Sequence, residues 1–138
     1  MQPLKHIILV EDDTFDAEMT IRALGQIPIA NPIVHLETGQ DLLDYLDKEG
    51  VGHIAVVLLD LNTPKLSGLE ALREIRQRAY DYFPIVVLTS SGEGPDIRAS
   101  YALGVNSFVS KPVRNLDFQE AIRTLGLYWG LMNELPPT

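Results

Sequence analysis

Six apolar residues in a row, Ile54 through Leu59, end abruptly in a carboxylate, Asp60. A run so continuously apolar and rich in β-branched Val and Ile is a strand buried on both faces. Such strands belong to parallel sheets covered by helices on either side. The charge at the end of the run is costly to bury unless something compensates it. A turn with Pro64 follows, and Ser67-Gly68-Leu69-Glu70 has the capping-box pattern that opens a helix. A carboxylate at the tip of a central strand, facing a strand-to-helix loop, lies where open α/β sheets bind their ligands.

The same grammar repeats along the chain. His6-Ile7-Ile8-Leu9-Val10 is a short apolar strand ending in Glu11-Asp12-Asp13, three acids that repel one another unless a cation sits among them. Asp13 or Thr14 caps a helix with Ala17, Ile21 and Leu24 inward, closed by Gly25 and Pro28. A weaker strand, Pro32–Leu36, precedes a helix capped by Thr38 with Leu42, Tyr45 and Leu46 inward. After Asp60 the capping box starts a helix with Leu69, Leu72 and Ile75 on one side. Pro84–Leu88 is a fourth strand, ending in Thr89-Ser90-Ser91. Pro95 is placed at the first position of the next helix, with Ile97 and Tyr101 inward and Gly104 just past its end. Ser107–Ser110 is a fifth strand running into Lys111-Pro112. Asn115 caps a last helix striped by Phe118, Ile122, Leu125, Trp129 and Met132. Strand and helix alternate five times, which predicts a doubly wound α/β domain with a five-stranded parallel sheet and five helices. The 138 residues are read as one domain.

The polar residues share one kind of position. Glu11 and Asp12 follow the first strand, Asp60 the third, Thr89 the fourth and Lys111 the fifth. In a parallel sheet these carboxyl ends lie along one edge, so the side chains converge in one crevice. Any one of them alone would be an ordinary solvated strand end; the complementary set is what points to function. Three acids against one ammonium leave a deficit that a divalent cation neutralises, and carboxylates with a backbone carbonyl and waters are what Mg²⁺ prefers. In such a site Asp60 can act as a nucleophile on phosphorus, with Lys111 offsetting phosphoryl charge.

Charge and composition close off other classes. A formal net charge of −8 argues against a nucleic-acid surface. No apolar run approaches the roughly 20 residues that span a bilayer. No cysteine is present, which excludes disulfides and thiolate metal sites, so a cytoplasmic location is the default expectation. His6, His35 and His53 show no ligand spacing and are read as structural.

Ile8-Leu9-Val10-Glu11-Asp12-Asp13, Leu58–Pro64 through Gly68, Val87-Leu88-Thr89-Ser90 and Ser110-Lys111-Pro112 resemble the signature motifs of the receiver domain of two-component response regulators. The resemblance implies a flavodoxin-like strand order 2-1-3-4-5. It implies Asp60 as phosphoacceptor, with Asp12, Asp60 and the Asn62 carbonyl as Mg²⁺ ligands and Glu11 as an acid of the metal site. Thr89 and Lys111 become the phosphoryl contacts, Phe108 the aromatic switch, and the Lys111–Pro112 bond cis. Phe108 has no hydroxyl to hold it outward and is expected to favour the inward rotamer. Asn62 and Ser91 occupy positions that tune phosphoryl lifetime in the family; both are small and should not block water. Thr63 and Ser67 depart from the family's usual apolar and acidic residues at their positions. The protein is expected to be a signalling protein, with self-phosphotransfer and autodephosphorylation its only catalysis.

Within that family, Asn62-Thr63-Pro64-Lys65, Val87–Ser91, Tyr101–Asn106 and the aromatic C-terminal stretch are similar to the stand-alone response regulators that partner bacterial phytochrome histidine kinases. The similarity implies a sensor histidine kinase of the phytochrome class as phosphodonor. A helix over 115–132 is about 27 Å long. Its end carries more apolar surface than one stripe can bury, so Tyr128, Trp129, Leu131 and Met132 are candidates for a homodimer interface. The residues after Met132 are too few for an output domain, so the signal is expected to leave through a protein surface. Two rivals use the same crevice: a phosphorelay intermediate, and an aspartate-nucleophile phosphatase. The phosphatase needs an acid two residues after the nucleophile, where this chain has Asn62. No Gly-x-Gly-x-x-Gly follows the first strand, so a dinucleotide site is poorer still.

Overall fold

In the computed structural model, which describes residues 4–90 and 94–132, every residue of the third strand, β3 (Ile54–Asp60), is buried. It lies between β1 (His6–Val10) and β4 (Ile85–Thr89), with β2 (Ile33–Leu36) and β5 (Ser107–Ser110) at the edges. All four pairings are parallel, giving the order β2-β1-β3-β4-β5. The doubly wound sheet and its order follow the expectation, because only strands apolar on both faces tolerate helices on both sides.

Five α-helices cover the sheet: α1 (Thr14–Leu24), α2 (Gly39–Glu49), α3 (Gly68–Gln77), α4 (Gly94–Ala102) and α5 (Leu116–Leu127). Leu42, Leu43 and Leu46 of α2 pack with Leu72 and Ile75 of α3 on one face, against Val10, Val57, Leu59 and Val87. Ala17 and Leu24 of α1 pack with Phe118 and Ile122 of α5 on the other, against Leu9, Leu58 and Leu88. Ala55 and Val56 both join this second core, next to a register slip that sets His6 opposite Ile54 but Ile7 opposite Val56. Side-chain caps start four helices: Asp13, Thr38, Ser67 and Asn115 accept from the N–H of Asp16, Asp41, Glu70 and Asp117. At Ser67 the hydroxyl also donates to Glu70 Oε1 at 3.0 Å. Among the described residues no helix is long and apolar enough to cross a membrane.

Two expectations are corrected. Tyr101 of α4 is not inward; it is 50% exposed, and Ser100 is buried in its stead with its hydroxyl donating to Asp96 O at 2.8 Å. A small hydroxyl that can bond back to its own helix is cheap to bury, and α4 starts at Gly94, one residue before Pro95. The last helix is not one α-helix over 115–132. It ends at Leu127 and continues as a π-helical turn, Tyr128–Met132. There Asn31 Nδ2 reaches Gly130 O at 3.2 Å and Lys5 O at 2.9 Å, tying the widened turn to the start of the sheet. Trp129 packs on the α1/α5 core, whereas Tyr128 and Leu131 are 46% and 63% exposed. The side chains of Pro95 and Met132, the residue Ser91 and the tail after Met132 lie outside the described residues.

Candidate functional site

The carboxyl edge of the sheet gathers the predicted residues. Asp60 ends β3 and Thr89 ends β4, both buried; Glu11 follows β1 and is also buried, while Asp12 is exposed. Carboxylate oxygens of Glu11, Asp12 and Asp60 lie within 4.8 Å of one another. That all-oxygen, all-anionic donor set fits a divalent cation of the hard class. Lys111, just past β5, is held there by its own N–H donating to Thr89 O at 2.9 Å, and its bond to Pro112 is cis. Its ammonium donates to Glu11 Oε1, to Asp16 Oδ2 at 2.9 Å and to Asp60 Oδ2 at 3.4 Å.

The loops hold these groups by backbone bonds. Asn62 folds back over Asp60, its N–H donating to Asp60 Oδ1 at 3.1 Å and its side-chain amide to Thr89 Oγ1 at 3.2 Å. Gly68 N–H donates to Leu61 O at 3.0 Å, which seats α3 directly on the end of β3. Glu11 is fixed by its N–H to Leu36 O at 2.9 Å and by a 2.7 Å contact between its carbonyl and His35 Nε2. Phe108, opposite Val87 in the β4–β5 pairing, is partly buried against the α2/α3 core.

Burial dominates the electrostatics of Glu11. It pushes the carboxyl up to about 7, opposed by the hydrogen bond from Lys111 and reinforced by Asp60. For Lys111, burial disfavours the charge, but the bonds to Glu11 and Asp16 and the field of Asp60 outweigh it and hold the ammonium protonated. The proton of the pair therefore stays on the lysine. Because Glu11 titrates above its ordinary 4.5, the metal-free fold binds an extra proton between about pH 4.5 and 7. Its contribution to stability is complete below that window and is lost as pH rises through about 7. Thermal unfolding in a chelator should show this fall, worth at most about 3 kcal/mol, and Glu11→Gln should remove it. A divalent cation should offset the loss most at high pH, where the carboxylates are bare. Metal-free stability that rises through the window, relative to Glu11→Gln, would contradict this.

Two contributors escaped sequence reading. Asp16 reads as a routine first-turn acid, and its only signal is that it sits three residues after the capping Asp13, on the side of the acid triplet. Thr63, noted as a departure, is buried and polar for a reason. Its hydroxyl accepts from Gly39 N–H at 3.2 Å and donates to Leu66 O at 2.9 Å, tying the loop after Asp60 to the start of α2.

Residues 7–123 match the response regulator receiver domain family. Among curated relatives, the probable methanogenesis regulatory protein FilR2 of Methanothrix harundinacea is 37% identical, over 94% of this chain and 86% of its own. Response regulator Rcp1 of Synechocystis is 33% identical, over 92% and 90%. The Mn²⁺-bound crystal structure of Rcp1 superposes with a TM-score of 0.85 at 34% identity, covering 96% of this chain and 99% of that one. The phosphorylated cyanobacterial phytochrome response regulator RcpA gives 0.87 at 31%, covering 98% and 100%. The bacteriophytochrome response regulator AtBRR gives 0.74 at 44%, covering 96% and 100%. A doubly wound sheet, a cluster of acids with a lysine at its carboxyl edge, and matches over nearly the whole length agree: this chain belongs to the response regulator receiver domain family, and is homologous to phytochrome response regulators.

Proposed function

We propose that Asp60 accepts a phosphoryl group from the phosphohistidine of a sensor kinase, and that this kinase is of the bacterial phytochrome class. The observation that carries the reading is the Lys111 ammonium shared between Asp60 and Glu11 at the mouth of an acidic trio, beside a buried threonine hydroxyl. An Asp60 oxygen attacks phosphorus, the P–O bond forms as the P–N bond breaks, and the protonated imidazole leaves neutral. Lys111 stands where it can offset charge on the transferring group. Glu11, Asp12 and Asp60, with the Asn62 carbonyl, are the residues to hold Mg²⁺, which supplies further charge neutralisation when bound. Thr89 exchanges its bond from Asn62 for one to a phosphoryl oxygen, and the space it vacates holds Phe108 in its inward rotamer. RcpA, structurally similar over nearly its whole length, is described as phosphorylated and as a phytochrome response regulator, which supports both halves of the proposal.

The test is phosphoryl transfer from a panel of phosphorylated kinases to the wild type and to Asp60→Asn. Fast labelling by a phytochrome kinase, none in Asp60→Asn and slow labelling by unrelated kinases are expected. Equal labelling by every kinase rejects the phytochrome assignment, and labelled Asp60→Asn rejects the acceptor.

The whole chain is read as one receiver unit that self-associates through its C-terminal segment. Tyr128 and Leu131 carry that reading, since both are exposed while Trp129 is committed to the protein's own core. Leu131→Glu should shift sedimentation toward monomer without lowering thermal stability; an unchanged profile would count against the interface.

A further inference from the structure

Lys111 donates to three carboxylates, and one of them, Asp16, lies outside the acidic trio suited to a metal. Asp16 stands in the first turn of α1, pinned from both sides. Its N–H is bonded by Asp13 Oδ1 at 2.8 Å and its carbonyl by Thr20 Oγ1 at 2.8 Å. With Asp13, Ser90, Lys111 and Arg114 it lines an open cavity of about 600 Å³ at the edge of the crevice.

We propose that Asp16 is a positioning residue that restrains phosphorylation, holding the Lys111 ammonium off Asp60 until the phosphoryl group draws it away. The role rests on the reading of Asp60 as phosphoacceptor. The ammonium is 2.9 Å from Asp16 and 3.4 Å from Asp60, so the carboxylate it must serve during transfer is the one it holds least well. Glu11, 1% exposed, cannot give up its bond without stranding a buried carboxyl, whereas the Asp16 side chain is 25% exposed and water replaces its partner. Asp16 is thus the partner that yields. Its charge also lines the open cavity beside Lys111, and like charges at a site's mouth slow association. Both effects act in one direction.

The experiment follows phosphoryl uptake from phosphoramidate with Mg²⁺ in the wild type, Asp16→Asn, Asp16→Ala and Glu18→Gln. Uptake in Asp16→Asn should be roughly fivefold faster, and in Asp16→Ala at least as fast. Glu18, exposed on the same helix, controls for net charge, and its variant should match the wild type. A merely structural Asp16 would give slower uptake and a lower thermal midpoint when removed, since Lys111 would lose support. Equal or slower uptake in both Asp16 variants, beside a wild type labelled at Asp60, overturns the role of Asp16. A wild type that takes no label overturns the reading of Asp60, and this role with it.

Discussion

Lys111→Met should lose about 3 kcal/mol of stability in the absence of metal at a pH about two units above neutral, where Glu11 is ionised in the wild type, and should take up phosphoryl groups about a hundredfold more slowly. The stability loss follows from burial. Lys111 is 8% exposed in its side chain and Glu11 1%, so removing the ammonium strands a carboxyl that water cannot reach. The deficit should shrink in acid, where Glu11, already raised by burial, takes a proton and no longer needs a cation. It should shrink again with a saturating divalent ion, which binds only the folded cluster. Urea unfolding at two pH values, with chelator and with Mg²⁺, measures all of this. A variant as stable as the wild type in chelator about two pH units above neutral would show that the buried pair is not what balances the edge.

Gly68→Ala should cost nearly as much for a steric reason. A Cβ on Gly68 would stand 2.4 Å from Asp60 O and 2.7 Å from Leu61 Cα, both backbone atoms of the strand end that carries the acceptor. Helix α3 must lift or the loop must move, at about 2–3 kcal/mol, and phosphoryl uptake should fall with it. Gly126 supplies the comparison. Its Cβ would meet side-chain tips, Leu24 and Ile27 at 2.7 Å each and Ile29 at 4.0 Å, rather than backbone, and tips can swing aside. Gly126→Ala also gains about 1 kcal/mol of helix propensity, so it should be far milder. Equal losses in the two variants would mean that α3 is not seated on Asp60 as tightly as its backbone bond to Leu61 indicates.

The strands and the polar residues gathered at the sheet's edge were legible because each is written locally: a continuous apolar run, then a polar residue at its end. Asp60, Glu11, Thr89 and Lys111 converge because parallel strands all finish on one side, so chain order alone placed them. What escaped depends on tertiary partners. Nothing about Asp16 in the sequence announces that Lys111, 95 positions on, bonds to it. Thr63 looked out of place until its hydroxyl was seen between Gly39 and Leu66. Tyr101 misled because a large aromatic outweighs a serine in any apolar pattern, while burial in α4 falls on the small Ser100. The π-helical turn bonds to Asn31, 99 positions away in the chain.

On the proposed reading, one oxygen of Asp60 carries the phosphoryl group. Borohydride reduces an aspartyl phosphate to homoserine, which marks its position for peptide mass spectrometry. After phosphoramidate and Mg²⁺, homoserine is predicted at position 60 and nowhere else. Homoserine at another aspartate, or none at position 60 under conditions where the acidic trio binds Mg²⁺, would rule Asp60 out as the acceptor.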